Sequence, residues 1–172
     1  MLLTNLSALH PQSAAFSPGG HWLACGAQDA TTFWKVKDWS PWRRIPHGPD
    51  PAGRHHLAFS PDDRVAALSV SDYEILLLAV ETGEELATLP TGHLLTWLAF
   101  SPGGERLVVV LEPGYFQLWD LRQLRKELAA INLDWPEAPL PPERNATGKI
   151  RSTVVADASK PVTFPPSGRA SQ

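Results

Sequence analysis

The sequence predicts an all-β chain built from repeated, stacked antiparallel sheets, and three observations carry that prediction. A turn signal recurs as Ala15-Phe16-Ser17-Pro18, Ala58-Phe59-Ser60-Pro61 and Ala99-Phe100-Ser101-Pro102, its phenylalanines 43 and then 41 residues apart. An apolar or small-residue run follows each turn: Trp22 to Ala27, Val65 to Val70 and Arg106 to Leu111. A further beat keeps the period, with Trp34 18 residues after Phe16, Leu78 19 after Phe59 and Trp119 19 after Phe100. A repeat of about 40–45 residues marks supersecondary units that bury their faces on one another.

Each element has its reason. In Ser-Pro-Gly-Gly and Ser-Pro-Asp-Asp, proline presets φ, and Gly or Asp tolerates the positions after it, so these are β-turns. The runs that follow are nearly continuous rather than alternating, which predicts strands buried on both faces. A third strand holds Trp34, Leu78 or Trp119. A fourth follows the turn Glu81-Thr82-Gly83-Glu84 as Glu85 to Leu89. In the first copy it is Trp42 to Ile45, limited by Pro41 and Pro46, which an outer strand tolerates because one of its edges is unpaired.

The three Ala-Phe-Ser-Pro turns, the pair Gly92-His93 and the run Leu118-Trp119-Asp120-Leu121 make residues 1–121 resemble the WD40 repeat family. The resemblance implies a partial β-propeller of about three four-stranded blades, at about 11–46, 54–90 and 93–121, with residues 1–8 as the outer strand of a further blade. It also implies a set of structural positions: Phe16, Asp29, Trp34, Phe59, Asp72, His93, Phe100, Trp119 and Asp120. In the family an Asp, a His and a Trp join in a buried hydrogen-bonded network. Here no copy holds every member, and Pro113 stands where the third copy's Asp belongs, so apolar packing is expected to dominate. Three blades do not close a ring that needs about four to eight. The end of a longer propeller, closure by self-association into six blades, and an open three-blade arc all remain.

After the blades the period changes. Leu121, Leu124, Leu128 and Ile131 form a helical stripe, Asn132 is placed as a cap residue, and Trp135-Pro136 stops the helix. Residues 122–136 are therefore expected to cap the last blade, with Trp135 as anchor. Residues 137–172 are Pro-rich and read as a disordered tail. The 121–136 stretch also resembles the close of WD40 regions in large bacterial proteins that carry serine/threonine kinase domains. No kinase motif is present in this sequence.

The chain of 172 residues carries 15 basic and 18 acidic groups, a net −3, which argues against a nucleic-acid binder. One cysteine, Cys25, excludes an internal disulfide framework. No apolar run reaches the roughly 18–20 residues of a membrane span, and the N-terminus lacks a signal-peptide pattern, so a cytoplasmic protein is expected. His47, His55 and His56 cluster in sequence, but adjacent residues on a strand face opposite sides, and no metal or cofactor is assigned. No nucleophile–base constellation or phosphate loop is present. The best surface contact candidate is Trp39, Trp42, Arg43 and Arg44, since Trp and Arg are favoured at interaction hot spots. The expected function is a non-catalytic scaffold for protein partners, with self-association as one way of completing the ring. The alternatives are a regulatory propeller region of a bacterial kinase protein or a truncated gene remnant.

Overall fold

Each Ser-Pro turn closes in the same way. The amide N–H of Gly20, Asp63 and Gly104 donates to the carbonyl of Ser17, Ser60 and Ser101 at 2.8, 3.0 and 2.9 Å. The same serine hydroxyls accept from the N–H groups of Trp22, Val65 and Arg106, at 3.2, 2.9 and 3.1 Å. The fourth turn position has φ of +73°, +62° and +75° in the three copies. That left-handed conformation explains glycine at two of them. The third is Asp63, whose side chain has a task described below.

This computed structural model describes residues 12–27, 29–48, 55–133 and 135. The strand expected within residues 1–8 and the tail at 137–172 lie outside them. The turns join eleven strands: β1 (Ser13–Phe16), β2 (Trp22–Gly26), β3 (Ala30–Lys35), β4 (Ser40–Pro46), β5 (Leu57–Phe59), β6 (Val65–Ser71), β7 (Glu74–Ala79), β8 (Glu85–Pro90), β9 (Leu95–Phe100), β10 (Arg106–Leu111) and β11 (Tyr115–Asp120). They form antiparallel sheets in the orders β1-β2-β3-β4, β5-β6-β7-β8 and β9-β10-β11. The first strands of successive sheets are neighbours, β1 beside β5 and β5 beside β9. Pro41 and Pro46 lie inside β4, on an outer edge where no sheet partner needs their missing N–H.

The core is two layers that share the second sheet. On one side Ala66, Leu68, Leu76 and Leu78 pack with Ala24, Phe33 and Ile45 of the first sheet. On the other, Ala67, Ile75 and Leu77 pack with Leu98, Leu107, Val109 and Leu111 of the third. Each fully buried Leu or Ile contributes about 1.5–3 kcal/mol by leaving water. The expectation of burial on both faces therefore holds for β6, where Val65 to Leu68 are all buried. It does not hold for β10, whose burial alternates residue by residue, because a sheet covers only one of its faces.

Where a fourth strand would stand in the third sheet, the chain forms α1 (Leu121–Ala130). Asp120 caps it, its carboxylate accepting from the N–H groups of Arg122 and Gln123 at 3.0 and 3.1 Å. Leu121, Leu124 and Leu128 turn to the core between the second and third sheets, together with buried Trp135. The Arg125 guanidinium lies 5.3 Å from the centre of the Trp135 ring. Asn132 has φ +59° just past the helix, and the Leu133 N–H donates to the Leu128 carbonyl at 2.9 Å, closing the C-terminus as a Schellman motif. Ile131, expected on the apolar stripe, is instead 61% exposed because it occupies the non-helical C-cap position.

Candidate functional site

Strand register shows which face of each sheet looks forward to the next. Ala15, Ala24 and Phe33 pair across the first sheet, Ala58, Ala67 and Leu77 across the second, and Ala99, Val108 and Leu118 across the third. The first row is covered by the second sheet and the second row by the third. The third row faces outward, and Leu118 is 52% exposed. Beside it Val110 pairs with both Phe116 and Trp97, which are 72% and 52% exposed. The forward face of the third sheet is therefore apolar and open. Large exposed apolar patches of this kind are characteristic of interaction surfaces.

The backward faces show the converse. Phe16, Leu23 and Trp34 pair across the first sheet, Phe59, Ala66 and Leu78 across the second, and Phe100, Leu107 and Trp119 across the third. Phe59 is buried and Phe100 partly so, each covered by the preceding sheet. Phe16 is 58% exposed, with Trp39 edge-on at 6.5 Å. The tryptophan signature thus lies on the backward faces. The residues that seal one blade to the next are Phe33 and Leu77, directly before the third-strand positions chosen from sequence, and Leu118 holds the same position on the uncovered face of the third blade. A large apolar residue at that preceding position in every copy was the available signal.

Among the described residues, the network implied for Asp, His and Trp is not assembled. Asp29 is exposed and accepts from Arg44 Nη2 at 2.6 Å. Its ion pair is solvated on both sides, so it contributes little. His93 is exposed and stacks on Tyr115 at 5.1 Å. The buried indole N–H groups of Trp34 and Trp119 meet no hydrogen-bond partner among the described residues. Asp72 lines a shallow cavity with Gly48, His55, Ser69 and Tyr73. Asp120 serves as the helix cap rather than as a member of a buried network.

A different carboxylate joins the first two sheets. Asp63 accepts from the Gly19 N–H at 2.8 Å and the Ser17 hydroxyl at 2.9 Å, and lies 3.0 Å from His21 Nδ1. Burial alone raises its pKa. The hydrogen bonds from Gly19, His21 and Ser17, together with the charge of His21, outweigh it and hold the carboxyl below its usual value. Its partners lie 42 to 46 residues away, so no local pattern revealed it.

The contact candidates do not form one patch. Trp42 packs edge-on against Trp22 and Phe33, at 5.1 and 6.4 Å, between the sheets. Arg43 reaches over the second sheet toward the Thr82 carbonyl at 3.4 Å, and Arg44 turns away to Asp29. Arg43 also lies over the Trp42 ring at 6.0 Å, whereas Trp39 is exposed against Phe16. His47 and His55 stack at 4.2 Å, and among the described residues no group of three or more His, Cys, Asp or Glu is placed to hold a metal ion. Burial pushes the Cys25 thiol up, away from the reactive thiolate form. No helix of the described residues is long and apolar enough to cross a membrane.

Comparison with known proteins agrees with this geometry. The family model "WD domain, G-beta repeat" matches residues 8–33. No curated protein matches the chain in sequence. Among solved structures, the Cps50 (Swd1) β-propeller domain of Myceliophteria thermophila is similar with a TM-score of 0.61 at 15% identity, over 70% of this chain and 38% of that one. The RRP9 WD40 repeats give 0.60 at 19% identity, over 72% and 38%. Hydrazine synthase of Kuenenia stuttgartiensis gives 0.58 at 16%, over 71% and 36%. The chain spans little more than a third of these structures. With the repeat-family match at residues 8–33 and three sheets stacked face to face, the chain has the fold of consecutive blades of a WD40-type β-propeller.

Proposed function

We propose that the chain is a non-catalytic β-propeller platform that works by binding protein surfaces, and that the forward face of its third blade is the principal contact. The observation that carries this reading is the exposure of Trp97, Phe116 and Leu118 on one sheet face. The second-blade counterparts of Phe116 and Leu118, Ile75 and Leu77, are fully buried against a neighbouring sheet. Apolar surface of this kind is stabilised by about 25 cal/mol per Å² when covered, and large aromatic side chains dominate such contacts. Among the described residues Cys25 is buried with its thiol pushed up by burial, and no group of three or more His, Cys, Asp or Glu is placed to hold a metal ion. No observation favours the kinase-associated reading or the gene-remnant reading.

The test is site-specific photo-crosslinking of the full chain in cells. A photoreactive residue at position 116 is expected to capture a protein, while one at exposed position 37, on the β3–β4 turn, is not. Equal, background-level capture at both positions would overturn the assignment of the face.

A further inference from the structure

We propose that the surface covering the forward face of the third blade is the backward face of the first blade in a second copy of this chain. This identifies the partner of the surface just described and rests on reading that surface as a contact. The argument is continuity. Within one chain the same junction is made twice: the Phe33 row is covered by the row of Phe59 and Leu78, and the Leu77 row by the row of Phe100 and Trp119. Among the described blades, the third leaves uncovered the forward row of Leu118 and Phe116, and the first leaves Phe16 exposed on its backward row, beside the partly buried Trp34. These are the two halves of the junction already made twice inside the chain. Both halves hold exposed aromatic side chains, Phe116 at 72% and Phe16 at 58%. Joining them head to tail repeats an existing interface and requires no new kind of contact. Two copies joined at both ends supply six blades, within the roughly four to eight that close a propeller, and closure is what separates a discrete ring from an open filament.

The test is the solution mass of the full chain by sedimentation equilibrium, for the natural sequence and two variants. The natural chain is expected at twice the monomer mass. Phe116→Asp removes the forward half and Phe16→Asp the backward half. Each alone is expected to be monomeric, while their mixture regains a two-chain species through the one intact pair of faces. Both side chains are more than half exposed, so the blades should still melt cooperatively. If Phe116→Asp does not, Trp97→Arg replaces it on the same face. A natural chain that stays monomeric overturns the second copy as partner. Crosslinks from position 116 to other proteins would then leave the contact face standing, and their absence would remove both. A dimer that survives Phe16→Asp overturns the head-to-tail arrangement in favour of two forward faces meeting. A ladder of larger species overturns closure into a ring.

Discussion

In the second blade, β6 buries Val65, Ala66, Ala67 and Leu68 in succession. In the third, β10 buries Leu107, Val109 and Leu111 and leaves Val108 and Val110 half-exposed. The two strands have the same register to their neighbours and similar composition. What differs is the number of sheets that cover them. Strand chemistry makes a blade, but neighbouring blades decide which of its side chains become core. Among the described residues, the two end faces of the stack expose aromatic side chains of the kind buried inside it, Phe16 at one end and Phe116 at the other.

The sharpest way to break this comparison is to remove equivalent side chains from the two blades. Leu77→Ala should destabilise the chain by about 2–5 kcal/mol, as expected for a fully buried leucine. Leu118→Ala, at the same register position but half exposed, should change the stability of the monomer by about 0.5 kcal/mol or less. Urea unfolding at low protein concentration checks both, and similar losses would contradict the assignment of faces.

The next effect is electrostatic and belongs to the junction of the first two blades. Because the Asp63 carboxyl is held below its usual pKa, the unfolded chain binds a proton there before the folded chain does. Its contribution is fully present above the unfolded pKa of about 4 and is lost as pH falls through the lower folded value. Asp63→Asn keeps a residue that tolerates the left-handed φ and should weaken this junction by about 1–3 kcal/mol at neutral pH. The difference from the natural chain should shrink below pH 4, as measured by unfolding across pH. A constant difference would show that Asp63 does not titrate as this junction requires.

A smaller loss is expected at the end of the third blade. Asp120→Ala removes the cap of α1 and should cost about 1 kcal/mol, seen as a lower melting temperature with the sheets retained. The smallest contrast separates two tryptophans. Trp119, partly buried against the shared core, should cost more on replacement by Ala than Trp39, whose ring is exposed at 36%. Equal melting shifts would contradict the placement of Trp119.

The blades themselves were legible because their turns are local. Ser17, Ser60 and Ser101 each make the same two bonds to residues three and five positions away, and the requirement for a left-handed residue writes Gly20 and Gly104 into the sequence. The helix was legible from its period and from Asn132 as its cap residue. The inter-blade contacts were not, because they depend on residues one repeat apart. Asp63 reads locally as a turn residue, and only its partners at Ser17 and Gly19 show that it ties two blades together. Trp34 and Trp119 drew attention as signature residues, but strand alternation turns Phe33 and Leu118 beside them to the forward face, where only Phe33 is covered. Trp42, chosen as a surface contact, is drawn between the sheets by Trp22 and Phe33.

Blades of one pattern differ in what covers them, and on the proposal above the uncovered faces meet. Hydroxyl-radical footprinting of the full chain across a dilution series tests it residue by residue. The account predicts that Phe33 and Phe59 stay protected at every concentration. Phe16 and Phe116 should be labelled together when dilute and become protected together as the chain is concentrated. Labelling of Phe16 and Phe116 that does not change with concentration, or labelling of Phe59 as fast as that of Phe16, would contradict it.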